Sequence, residues 1–271
     1  MASFAGYVAM VALLGGDLAS GSAGGVATAG LTVAQSILAQ GVGFSLGFAA
    51  ATWLVGVKGA RLSWADLRWH RAGPPMRGAA VGLLLGGAAA GLAMALALPA
   101  GAAWTRDAGG LGSWFGAAAQ WVAVLLPAAL WEEFALRGVP LVLLAGVMGK
   151  APASVITAVA FGALHANNPG ATPLGVVNTG VAGLFLAAAF WAPGGIWTAT
   201  GAHLGWNAVI ATLEAPVSGI PFAMPFLDYH PGGPAWLTGG SFGPEGGLLA
   251  TVAIIGATGA VLRWMRRAGA A

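Results

Sequence analysis

Glu132, Glu133 and Arg137 stand in a segment that is apolar from Trp114 to Val147 apart from Gln120. Charge in such a place is costly in lipid or in a core, so it needs a reason. On a helix Glu133 and Arg137 are i,i+4 neighbours with the acid first, an order that lets them neutralise each other. Glu132 points about 100° away and keeps no local partner. Two further motifs put polar residues into apolar stretches, Phe161-x-x-x-His165 and His203-x-x-x-Asn207. The i,i+4 spacing puts His203 and Asn207 on one helix face.

These are residue types a hydrolase uses. An unpaired carboxylate in a poorly solvated place suits a general base for water, and a histidine can share or relay the proton. His203 and Asn207 offer donors for the oxyanion of a tetrahedral intermediate. Alternatively, Glu132, His165 and His203 are three ligands of a catalytic zinc with an open fourth position. H-E-x-x-H does not occur. Taken singly, each pair also has a bland explanation. The acids fit a snorkelling charge cluster, His165 a structural histidine, and His203 with Asn207 an interhelical hydrogen-bond pair.

The elements that must position them are membrane helices. The chain of 271 residues is 58% hydrophobic and 7% charged. Soluble domains carry about 25% charged residues, so a water-facing surface cannot be built here. The apolar segments are continuous rather than alternating, which excludes a barrel and leaves helices. Small residues, with 46 glycines, allow close helix approach. The absence of cysteine excludes disulfides and thiolate chemistry. The net charge of +3 reflects basic residues beside apolar segments, a topology signal rather than a nucleic-acid surface.

Apolar spans fall at 3–19, 26–57, 78–98, 114–147, 153–166, 174–191, 196–213 and 248–262. The second is long enough to be tilted or broken near Gly41-Val42-Gly43. The reading is an all-α polytopic bundle of about eight transmembrane helices, one integral membrane domain over 1–271 with its core at 115–212. The basic loop at 58–77 and the terminal arginines 263, 266 and 267 face the cytoplasm by the positive-inside rule. The first span lacks a basic leader and is retained. Residues 214–247 read as an outer loop without elements, and Asp228, His230 and Glu245 as its solvated residues.

Register brings the polar pairs together. Residues 132 and 165 are equidistant from the break at Met148-Gly149, so in a helical hairpin Glu132 and His165 share a level. His203 lies roughly 14 Å from its own turn and Glu132 roughly 24 Å from its turn. Those levels agree only if the hairpin projects about 10 Å beyond the bilayer.

The three motifs in this order resemble the CAAX-protease and bacteriocin-processing (CPBP, or Abi) intramembrane proteases. Here they read Glu132-Glu133-x-x-x-Arg137, Phe161-x-x-x-His165 and His203-x-x-x-Asn207. Gly138 and Gly195-Ile196-Trp197 are also similar to the family. The resemblance implies an eight-helix enzyme, whose eukaryotic members are Ras-converting CAAX endopeptidases removing a C-terminal tripeptide from prenylated proteins. It implies that Glu132 with His165 activates water, that His203 and Asn207 form the oxyanion hole, and that Glu133, Arg137 and Phe161 support the site. The family has been described both as metalloproteases and as metal-independent glutamate proteases, and the glutamate form is favoured here. The expected partners are membrane lipid and a membrane-tethered peptide or protein. The expected location is a prokaryotic cell membrane, with the site opening to the cytoplasm. The competing readings are a non-catalytic membrane binding or immunity protein and, ranked last, a transporter or proton pathway.

Overall fold

A computed structural model describes residues 2–14, 31–69 and 74–269, and all structural statements concern these. It is an all-α membrane bundle. Helices α1 (Ala2–Leu13), α2 (Val33–Ala51), α3 (Pro75–Ala97), α4 (Leu111–Leu136) and α5 (Val139–Met148) form the first half. Helices α6 (Lys150–Leu164), α7 (Pro173–Trp191), α8 (Ile196–Thr212), the short α9 (Ala235–Thr238) and α10 (Leu248–Gly269) form the second. Five stretches are long and apolar enough to cross a membrane, namely Val33–Gly59, Pro75–Ala100, Leu111–Met148, Pro173–Trp191 and Leu248–Ala268. The shorter α1, α6 and α8 complete the set of eight apolar segments read from the sequence.

Helix α8 is the axis of the bundle. From Ile196 to Trp206 only Trp197 is not buried. Glycines make that position possible. A Cβ on Gly82 or Gly86 of α3 would stand 2.2 Å from the Thr198 carbonyl or 1.9 Å from that of Ala202. Reciprocally, a Cβ on Gly201 or Gly205 of α8 would stand 2.1 Å from Ala79 O or 2.2 Å from Leu83 O. The two backbones therefore touch along i,i+4 rows of glycine, the small-residue packing that substitutes for hydrophobic driving force in lipid. Helix α4 packs on the same axis and on α2, where Ser45 Oγ donates to Pro127 O at 3.0 Å.

Several expectations change. The second span is not broken at Gly41–Gly43; α2 runs through it and widens into a π-helix at Thr52–Gly59. Residues 15–19 and 26–30 lie outside the described residues. The segment 114–147 is two helices rather than one. Pro140 has no N–H to give to Leu136 O, and Gly138 takes a non-helical ψ of −124°, so α4 stops and α5 starts anew. The basic loop at 58–77 is not simply solvated. Arg68 donates to the carbonyls of Phe190, Trp191 and Ala192 at 2.9–3.0 Å, capping the negative end of α7. Arg71 lies outside the described residues.

The region 214–247 is also structured. Its strand β2 (Asp228–His230) pairs antiparallel with β1 (Ala103–Thr105). The carboxylate of Glu214 accepts from Tyr229 N at 2.9 Å and ties the end of α8 to that ribbon. Burial, with Asp228 and Asp107 nearby, pushes the Glu214 carboxyl up from its ordinary value. Beyond α9, turns return the chain to α10 and place Glu245 against the core.

Candidate active site

The predicted helical hairpin turns where composition placed it. Gly149 adopts φ +87°, ending α5 and starting α6 within one residue. The expected 24 Å path assumed one straight helix from Glu132 to that turn. The break at Gly138 removes the assumption, because α5 adds only ten residues, roughly 15 Å, on a new axis. Glu132 and Glu133 thus occupy the last turn of α4, and Arg137 caps it.

From there the three motifs converge. Glu132 Oε2 lies 4.0 Å from His165 Nε2 and 3.7 Å from His203 Nε2. It is itself without a hydrogen-bond partner among the described residues. Asn207, one turn beyond His203, lines the same cavity of about 410 Å³. Glu133 and Arg137 pair at 3.2 Å with both side chains fully buried, as their spacing suggested. Arg137 also donates to Gly183 O on α7 at 3.2 Å. Phe161 is a wedge between the groups: its ring is 4.7 Å from the His165 ring and 5.7 Å from that of His203, with the Arg137 guanidinium 4.5 Å away.

Both imidazoles are held from behind. Phe161 O lies 2.8 Å from His165 Nδ1 and can only accept, so Nδ1 carries the proton. A Glu133 carboxylate oxygen lies 2.9 Å from His203 Nδ1, with the same consequence while Glu133 is ionised against Arg137. When neutral, each ring therefore presents a bare Nε2 to Glu132. Spacing assigned Glu133 to Arg137 alone and missed this second contact. A carboxylate has lone pairs for both, and the signal lay in the adjacency of the two acids.

The same orientation bears on a metal. A carboxylate and two imidazoles with fixed Nδ1–H groups are zinc-type donors by chemistry. Their spacing does not match. Among the described residues no group of three His, Cys, Asp or Glu stands in an arrangement that could hold a metal ion. The residues do not fit the group in this geometry, and no step is derived through it.

The far wall of the cavity comes from the region read as solvated loop. Glu245 is 9% exposed and lines the cavity with Ser218, Val217 and Ile220. Its Oε1 accepts from Trp206 Nε1 of α8 at 2.8 Å, and its Oε2 accepts from the Ser218 N–H and, at 2.7 Å, from Ser218 Oγ. Asn178 of α7 donates to Glu245 O and Gly247 O, both at 2.9 Å. Asn168 donates to Ser218 O at 3.0 Å. The expectation that Glu245 is a solvated residue is thus corrected: aromatic and amide donors on α7 and α8 bury it. Nothing in the local sequence marks this, since Gly243-Pro244-Glu245-Gly246 reads as an ordinary turn. Asp228 and His230 stay on the ribbon, where His230 Nε2 meets Thr105 Oγ1 at 2.9 Å.

Residues 114–209 match a family model described as Type II CAAX prenyl endopeptidase Rce1-like. No curated protein and no solved structure matches the chain. The matched stretch contains all three motifs and the helices α4 to α8 that bring them together. Over these residues the chain is similar to Rce1-like CAAX endopeptidases.

Proposed function

We propose that the protein is an intramembrane endopeptidase in which Glu132 and His165 activate a water molecule against a peptide carbonyl. The carrying observation is the 4.0 Å gap between Glu132 Oε2 and a bare His165 Nε2. It is too long for a direct hydrogen bond and suits one water bridging both groups. Such a water donates one hydrogen to each acceptor and turns its lone pair outward. Attack forms the C–O bond and passes a proton to Glu132. Collapse of the tetrahedral intermediate breaks the C–N bond while Glu132 returns that proton to the leaving amine.

The oxyanion needs donors. Asn207 supplies its amide N–H. His203 supplies Nε2–H only when its ring carries both protons, a charge that Glu132 and Glu133 on either side would balance. Glu133 and Arg137 hold the His203 ring, and Phe161 sets the angle between the imidazoles. The substrate class is a membrane-associated peptide, with a prenylated CAAX-type C-terminus as the specific candidate. A prokaryotic cell membrane and a site opening to the cytoplasm follow from composition and the basic loop.

The test is turnover of a membrane-tethered fluorogenic peptide by wild-type protein and Glu132→Gln in proteoliposomes. Loss of about 10²–10⁴-fold is expected for removal of a general base. Undiminished cleavage by the variant would sink the reading.

A further inference from the structure

The catalytic cavity has a second acidic wall that the hydrolytic step does not use. Glu245 stands there on the region between α8 and α10, bonded to Trp206 of the motif helix α8. Its three side-chain hydrogen bonds come from an indole N–H, a backbone N–H and a hydroxyl. A carboxylate offers about four lone-pair sites, so acceptor capacity remains on the cavity side.

That charge is unbalanced. No lysine or arginine lines the cavity, and none of the ion pairs among the described residues includes Glu245. The one buried arginine at the site, Arg137, is taken by Glu133. Among the described residues Glu245 therefore brings to the cavity a carboxylate with no cationic side chain paired to it. In low-dielectric walls a field of one sign concentrates counter-charge strongly. The remaining lining is apolar or amide, including Leu125, Phe185, Leu186 and Asn178.

We infer that Glu245 is a specificity-determining residue that receives a cationic side chain, lysine or arginine, of the bound peptide beside the scissile bond. This rests on the endopeptidase reading for its substrate class. Ser218 and Trp206 hold the carboxylate in place, and the apolar lining takes the neighbouring residues. A peptide bearing an acid at that position meets repulsion from both carboxylates.

The test reads binding rather than turnover, on the full chain in nanodiscs. Three fluorescent peptides are used, identical except for lysine, norleucine or glutamate at one position scanned along the sequence. At one position the lysine peptide is expected to bind at least tenfold tighter than the norleucine peptide, with the glutamate peptide weakest. Glu245→Gln should bring lysine and norleucine level. Ser218→Ala, which keeps the charge and loses one hydroxyl, should retain the lysine preference, whereas a purely structural Glu245 predicts that both variants lose binding alike. Equal affinities for lysine and norleucine at every position, or a lysine preference that survives Glu245→Gln, would overturn the inference. Because no bond is cut in this measurement, its outcome is independent of whether Glu132 proves catalytic.

Discussion

The cavity has two walls, and each presents one carboxylate by a different means. On the motif wall, Glu132 projects from the last turn of α4 and is met by side chains on α6 and α8. On the other wall, Glu245 sits in a short turn with its carboxylate held by Trp206 and Ser218, while Asn178 donates to its backbone carbonyl and Asn168 to that of Ser218. Glu132 is left with an unpartnered oxygen, whereas both oxygens of Glu245 are satisfied. An acid meant to take a proton is better left unpaired, and one meant to hold charge is better surrounded by donors. On the proposed reading the two walls divide reactivity from recognition.

The sharpest way to break this comparison is at the support of the motif wall. Arg137→Met leaves Glu133 buried without its cation and should cost about 3–5 kcal/mol, read as a fall in thermal unfolding midpoint in detergent. If the variant is as stable as wild type, the Glu133–Arg137 pair does not anchor the wall. Next is the α3–α8 seam. Gly86→Ala puts a methyl 1.9 Å from Ala202 O and should cost about 1–3 kcal/mol, with activity falling because α8 carries His203 and Asn207. On the other wall, Ser218→Ala removes one hydrogen bond to Glu245 and should cost about 0.5–1.5 kcal/mol, leaving cleavage chemistry in place. A large loss of kcat there would merge the two walls into one functional unit.

The smallest effect lies outside the membrane helices. Glu214 is held above its ordinary value by burial and by nearby acids, so the folded state favours its protonated form. Its contribution is fully present below the unfolded value and is lost as pH rises through the folded one. Glu214→Gln should therefore be slightly more stable than wild type at neutral pH and lose that advantage at pH 4. An identical difference at both pH values would remove Glu214 from the account.

The two walls also differ in how much of them the sequence shows. Helical periodicity places Glu133 against Arg137 and His203 beside Asn207, and equal distances from Met148-Gly149 place Glu132 level with His165. These are local rules applied to long apolar helices, where few alternatives exist. The break at Gly138 leaves only Pro140 and its missing N–H as a signal, because the apolar run continues across it. The Glu245 wall leaves no such signal. Its position depends on turns and on donors from α7 and α8, none of which leaves a period in the region 214–247.

The central claim is that Glu132 and His165 act on one water. A double-mutant cycle measures this most directly, using kcat/KM for a tethered peptide with Glu132→Gln, His165→Asn and the pair. Residues that act as a unit are strongly non-additive. The account predicts that the double variant is about as slow as the slower single variant. Losses that multiply, so that the double variant falls by the product of the two single effects, would contradict it.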